Sequence, residues 1–320
     1  MPLLDAIRVL AAFDPPRELP PCDLDDLANV LESHGLAPMA SYHAESRPLG
    51  ASLPARFRER LLTSYTGVVN DNVFKLVTLK GALRGLEGVR SVLLGAAATV
   101  DWLYPHLAFR PVGDLRLAVR GEDGARFAAG LGAEFKPVST GEGGHTAVFS
   151  DGRIELRIQE GLVEGAGEDA GLFDRAVPFK AMGPGVARPA AEDALLLAVA
   201  DQALEGLHAQ LVTYVDVREL VRLELDRAAL LSRAEAAGLS RALWGSLTLT
   251  AWFFPDASER ALALRPELGA AERKAVEAVV ESVRDPGRLR VLRGEQEAAR
   301  AVVAPRGAGS PEAVVSSRRS

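Results

Sequence analysis

The chain has 320 residues, 48% of them hydrophobic and 25% charged, with a formal net charge of -6. That is enough apolar material for one large domain or two ordinary ones. The acidic balance gives no general attraction to nucleic acid or to an anionic membrane, although a local basic face stays compatible with it. The single cysteine, Cys22, excludes an internal disulfide and a cysteine-built zinc centre and fits a reducing, cytoplasmic setting.

The N-terminus lacks a signal-peptide layout: Asp5 and Arg8 interrupt its apolar run, and Pro15, Pro16, Pro20 and Pro21 follow closely. No window approaches about 18 uncharged apolar residues, so no membrane span is expected. Residues 1–13 read as a short helix ended by the prolines. A second helix starts at Asp23-Leu24-Asp25-Asp26, carries Leu24, Leu27, Val30 and Leu31 at helical spacing and closes at Gly35. Residues 54–88 give longer helical segments with an apolar stripe of Leu61, Leu62, Tyr65, Val68, Val69, Val73 and Leu76. Asn70, Asp71 and Asn72 are assigned to a polar side. These helices carry no chemistry of their own and read as an N-terminal cap.

Val92, Leu93 and Leu94 form a short apolar run, as in a strand covered on both faces. Gly95 and the alanines Ala96, Ala97 and Ala98 then allow close approach to whatever sits above the next helix N-terminus, where free N–H groups suit a phosphate. A plain tight turn packed on the sheet would use the same residues. Leu115–Arg120 alternates: Leu115, Leu117 and Val119 point one way, Asp114, Arg116 and Ala118 the other. A helix is expected over Glu122–Gly132. Thr146–Phe149, the turn Ser150-Asp151-Gly152-Arg153 and Ile154–Gln159 form a hairpin signal. In its second strand Ile154, Leu156 and Ile158 face the core, and Glu155, Arg157 and Gln159 face away.

Residues 161–189 read as a Gly- and Pro-rich connection with a short strand near Val177-Pro178-Phe179. Helices follow at Glu192–His208, 210–224, 226–237, 239–253, 258–264 and 270–284, and residues 305–320 have a tail's composition. Four regions result: an N-terminal helical region (1–88), an α/β region (89–188), a C-terminal helical bundle (189–304) and a disordered tail (305–320). Among isolated candidates, His106 reads as a loop or packing residue, His145 as exposed loop, and His208 as a buried, hydrogen-bonded helix residue. Asp216 is expected to cap or to pair with Arg218 or Arg222. Arg110 either holds a phosphate or anchors its loop to a carboxylate. Trp244 and Trp252 read as core.

Several of these segments together resemble the bacterial nucleotidyltransferase family proteins of the DNA polymerase beta-like superfamily. The matching pieces are VLLGAA at 92–97, WLYPHLAFRPVGDLRLAV at 102–119, IELRI at 154–158 and the Leu195–Leu220 stretch with TYVDVREL at 213–220. The resemblance spans roughly residues 20–255, and Arg110-Pro-x-Gly-Asp114 is its most specific part. It implies an α+β fold: a nucleotidyltransferase-type mixed sheet with flanking helices, an N-terminal helical segment and a C-terminal helical bundle. It also implies metal-dependent transfer of a nucleoside monophosphate from a nucleoside triphosphate to an acceptor that the sequence does not identify. Mg2+ would be the metal, because three strand carboxylates ordinarily hold two such ions about the attacking and leaving oxygens.

By that resemblance Asp114 is the first carboxylate and Glu155 the third, and both would serve as catalytic and metal-binding residues. Gly95, Ala96, Arg110, Gly113 and Arg116 would bind the nucleotide. Three departures are plain. Arg116 falls on the second aspartate, Arg157 falls on a usual histidine, and the turn reads Leu94-Gly95 without the common lysine. In the C-terminal helix a usual histidine falls near Asp201, while His208 and Asp216 remain. Period two places Asp114 and Arg116 on one strand face and Glu155 and Arg157 on another, a four-charge patch with a formal sum of zero. A guanidinium at 116 repels a divalent cation and is expected to pair with Asp114 or Glu155. Two readings stay open. One is a one-metal or metal-free nucleotide site whose arginines hold phosphates, or a transferase that uses Asp114 and Glu155 with Asp151 as a substitute metal ligand. The other is an ion-paired patch on a non-catalytic binding or partner protein. Nucleic acid and membrane are not expected as partners.

Overall fold

A computed structural model describes residues 2–15, 18–46, 48–86, 88–132, 134–140, 146–163, 169–284 and 296–305. His145 and the tail beyond residue 305 lie outside the described residues.

The chain opens with α1 (Pro2–Ala11) and α2 (Leu24–Ser33). The Asp23 side chain caps α2 by accepting from the Asp26 N–H at 2.9 Å, as the acidic start of that segment suggested. A third helix, α3 (Ala37–Ser46), was not apparent from periodicity. Nearly every residue from Ala37 to Ala44 is buried, so the helix has no polar face and leaves no 3.6-residue pattern. Residues 54–88 contain one long helix, α4 (Ala55–Leu83), whose buried side consists of Phe57, Leu61, Asn72, Leu79, Ala82 and Leu83. This corrects the expected stripe. Leu62 and Val73 are exposed, and Asn72, assigned to the polar side, is fully buried. Asn72 lies eleven residues after Leu61 and seven before Leu79, which puts all three on one helix face.

Among the described residues the strands are β1 (Ser91–Leu94), β2 (Leu115–Val119), β3 (Lys136–Thr140), β4 (Thr146–Ser150), β5 (Glu155–Gln159), β6 (Val177–Pro178) and β7 (Val186–Arg188). They form one mixed sheet in the order β3-β4-β5-β2-β1-β7-β6. β2 runs parallel to β5 and antiparallel to β1, and β1 runs parallel to β7. The short helices α5 (Ala96–Thr99), α6 (Gly124–Gly130) and α7 (Ala170–Arg175) fill the connections. β3 and β7 were not anticipated: one contains Pro137 and is an edge strand, and the other is only three residues long.

The remaining helices are α8 (Ala191–Leu204), α9 (Leu211–Leu220), α10 (Arg227–Ala236), α11 (Ser240–Phe253), α12 (Ser258–Ala263), α13 (Ala270–Arg284) and α14 (Gln296–Val303). Both faces of the central strands are covered, as the apolar run at 92–94 suggested. Leu93, Leu115, Leu117, Leu156 and Ile158 pack with Leu79 and Leu83 of α4 and with Phe127 of α6. Val92, Leu94 and Ala118 belong to a larger core that unites α1–α3 with α8, α9, α11 and α13. Arg8 of α1 donates to the Phe253 and Trp252 carbonyls at the end of α11, at 2.8 and 2.6 Å, and Arg218 of α9 donates to the Ala11 carbonyl at 2.7 Å. The architecture is therefore α+β, a mixed sheet with flanking helices. No described helix is long and apolar enough to cross a membrane.

Candidate functional site

The site is built where β1 turns into α5 beneath α8. Gly95 has φ 66° and ψ −152°, a conformation that glycine adopts without strain. A Cβ placed there would lie 2.8 Å from Arg116 Nη2, so a larger residue would have to displace the guanidinium. α5 is a single turn of four residues, and the Ala98 and Val100 N–H groups are already bonded to the Gly95 and Ala96 carbonyls. A macrodipole strong enough to hold a phosphate is not available from so short a helix. Gly95 and Ala96 line a small cleft together with Trp102, Arg110, Asp201 and Asp216. Its α8 wall is formed by Ala194, Leu197 and Ala198 beside Asp201. At its edge the Arg188 guanidinium stacks on the Trp102 ring at 4.1 Å.

Arg116 projects from β2 toward this cleft. Its Nη1 and Nη2 donate to Asp201 Oδ1 and Oδ2 at 2.8 and 2.5 Å, a bidentate pair between sheet and helix. Its Nε lies 3.5 Å from Asp114 Oδ2. The expected bidentate partner was Asp114 or Glu155; the structure gives that role to Asp201. α8 crosses above β2 and brings its one mid-helix carboxylate over the guanidinium, whereas Asp114 stands at the strand's open end. The Asp114 side chain is 57% exposed and that of Arg116 only 11%. Glu155 is exposed at the start of β5 and has no ion pair with Arg116. In the β2–β5 register Arg116 pairs with Arg157 and Leu115 with Leu156. Asp114, Arg116, Glu155 and Arg157 therefore lie on adjacent strand ends as period two required. Gly113 is exposed, and a side chain built there would meet no atom within 4 Å.

A second polar cluster lies behind the cleft. Arg110 Nε donates to both carboxylate oxygens of Asp216, at 3.0 and 2.8 Å, and Tyr104 Oη donates to Asp216 Oδ1 at 2.5 Å. Arg110 thus anchors its loop to a carboxylate, one of the two roles open to it. Asp216 pairs with neither Arg218 nor Arg222. Those arginines hold Glu219, and α9 turns Asp216 toward the sheet. Burial pushes the Asp216 carboxyl up, while Arg110 and Tyr104 oppose the shift. Burial, with the Asp216 charge beside it, raises the Tyr104 phenol well above its usual value of 10.0.

The loop that presents Arg110 is pinned by Asn72. Its Nδ2 donates to the Leu107 and Arg110 carbonyls, both at 2.9 Å, and its Oδ1 accepts from the Val112 N–H at 2.8 Å. Asn72, Tyr104 and the pairing role of Asp201 were missed by sequence reasoning. For Asn72 the missed signal was its phase with Leu61 and Leu79. His106 is a packing residue: it stacks among Tyr42, Tyr65 and Phe109 and accepts from the Ala108 N–H at 3.2 Å. His208 is buried as expected, with Nε2 3.4 Å from Ser282 Oγ, but it lies beyond α8. The helix ends earlier because Gly206 and Leu207 take positive φ. Asp151 is used by its own turn, accepting from the Arg153 and Ile154 N–H groups at 2.8 Å. Trp244 is buried, whereas Trp252 is only partly buried.

These residues do not fit a two-magnesium centre. Among the described residues no group of three His, Cys, Asp or Glu side chains is close enough together to hold an ion. The position between Asp114 and Asp201 is taken by a guanidinium, and like charge disfavours a further cation there.

No curated protein and no solved structure matched the chain. The model of one family, described as uncharacterised nucleotidyltransferase, matches residues 20–255, which include the sheet, the cleft, α8 and α9. With well over half of its length matched, the chain belongs to that uncharacterised nucleotidyltransferase family.

Proposed function

We propose that this chain is a nucleotidyltransferase-family protein in which metal-dependent transfer of a nucleoside monophosphate is impaired, because Arg116 replaces a metal-binding aspartate. The observation that carries the reading is the position of the Arg116 guanidinium. It lies against Gly95, bidentate to Asp201 and 3.5 Å from Asp114. Nucleotidyl transfer needs the triphosphate charge neutralised while an acceptor oxygen attacks the α-phosphorus and pyrophosphate leaves. In this reading the fixed cations Arg110 and Arg116 face the phosphates, and Gly95, Ala96 and Gly113 let the ligand approach the backbone. Asp114 is the carboxylate best placed to orient an acceptor, being exposed and next to the Arg116 guanidinium.

The test is nucleotide incorporation with magnesium or manganese, comparing wild type with Asp114→Ala. The reading expects weak incorporation that Asp114→Ala abolishes, and equal activity in the two would remove Asp114 from the chemistry. The variant R116D, which would gather a third carboxylate beside Asp114 and Asp201, is expected to gain metal affinity by calorimetry.

A second reading has its own support: the charges of the cluster are already paired internally, Arg116 with Asp201 and Arg110 with Asp216. It makes the chain a non-catalytic binding or partner protein. Calorimetry with ATP and magnesium separates the two. Tight magnesium-dependent binding counts against the second reading, and absence of binding supports it.

A further inference from the structure

The outward face of α4 carries several large apolar side chains where a surface helix would ordinarily be polar. Leu62, Val73, Phe74 and Val77 are 42%, 43%, 40% and 66% exposed, and they are four of the eight large hydrophobic side chains exposed among the described residues. Scattered exposed hydrophobics need no explanation, but a cluster on one face does. Leu62, Thr66, Val69, Val73 and Val77 are spaced by four, three, four and four residues. At about 100° per residue they fall within an arc of roughly 80°. That is the seam pattern of a helix that packs lengthwise on another helix.

The charges at the ends of the stripe indicate which helix. The same arc carries Glu59 before Leu62 and Lys80 after Val77, and no charged residue between them. Both are exposed, and neither is in an ion pair with a described residue. Two copies of α4 laid antiparallel about a two-fold axis at Val69-Asn70 bring Glu59 to Lys80 at both ends. The same register brings Leu62 to Val77 and Thr66 to Val73. A parallel pairing would instead set Glu59 beside Glu59 and Lys80 beside Lys80.

We infer that this face is a self-association surface, on which α4 of one copy pairs antiparallel with α4 of a second copy of the same chain. The contact is isologous, so one patch supplies both sides, as a closed dimer requires. From Glu59 to Lys80 the helix runs about 33 Å, which makes a small interface and a concentration-dependent dimer. The surface lies apart from the cleft at Gly95 and Arg116, so it stands or falls independently of the transferase reading.

The experiment is sedimentation velocity on the full chain over a concentration series. The wild type is expected to convert from monomer to dimer as concentration rises, and V77E to remain monomeric with an unchanged thermal melt, since Val77 is 66% exposed. E59K and K80E alone should each raise the dimer dissociation constant about tenfold, by turning two attractions into two repulsions. E59K combined with K80E should restore it, because the swapped charges again face each other. A wild type that is monomeric throughout, a dimer that survives V77E, or a double variant no better than its parents would each overturn the inference.

Discussion

Arg116 and Asp201 are joined by two parallel N–H···O bonds of 2.8 and 2.5 Å, yet their burial is unequal: the arginine side chain is 11% exposed and the aspartate 33%. Losing either partner therefore has different consequences. Asp201→Ala leaves a nearly buried guanidinium without its bidentate partner, and is expected to cost about 2 kcal/mol. Arg116→Ala leaves a carboxylate that water already reaches, and should cost about half as much. Chemical denaturation of the two variants checks the order. An equal or reversed order would show that Asp201 is not the main counter-charge.

Asn72 satisfies three backbone groups of the loop at 107–112 from a fully buried position. Asn72→Ala should destabilise the protein by about 3 kcal/mol, since two carbonyls and one N–H lose their partner inside the core. Asn72→Asp can still accept from Val112 but cannot donate to the two carbonyls, so it should be no better. Thermal melts of both variants, with hydrogen exchange at Val112 as the local readout, test the pin.

Tyr104 and Tyr214 are both fully buried, bonded to Asp216 and to the Leu207 carbonyl at 2.5 Å. Burial raises both phenols well above their usual 10.0. Folding therefore favours the neutral phenol. That stability is present below pH 10.0, and is lost as pH rises beyond it, where the unfolded chain releases the protons and the folded chain does not. Of the four tyrosines, these two should show no tyrosinate absorbance until the protein unfolds in alkali. A spectrophotometric titration followed alongside circular dichroism checks this.

Asp193, with no accessible side-chain surface, is held by Arg175 Nε at 2.8 Å and Arg233 Nη1 at 3.1 Å. Either arginine alone still offsets the buried charge. Arg175→Ala and Arg233→Ala should each be mild, while the double variant should be worse than their sum by about 1–2 kcal/mol. Additive losses would mean that the two arginines do not share the buried carboxylate.

What could be read from the sequence was what local pattern encodes. Asp23 announced its cap, the Asp151-Gly152 turn announced its hairpin, and the apolar run at 92–94 announced a strand covered on both sides. α3 could not be read, because burial all around erases periodicity, and β3 and β7 are too short or too irregular to show alternation. At the site, period two correctly put Asp114 with Arg116 and Glu155 with Arg157 on their strand faces. It could not say that Asp201, 85 residues beyond Arg116, would take the guanidinium. That pairing depends on how α8 crosses the sheet, and helix packing has no signature at the level of single residues.

Arg8 reaches the carbonyls that end α11, across 245 residues of chain. Those carbonyls have no partner within their own helix, and the first helix supplies it. During synthesis, then, α1 can settle on α2 and α3, which follow it closely in the chain, but its tie to α11 waits until residue 253 has been made. That tie spans 245 residues, so it is among the last to form, and a chain truncated before residue 253 lacks it.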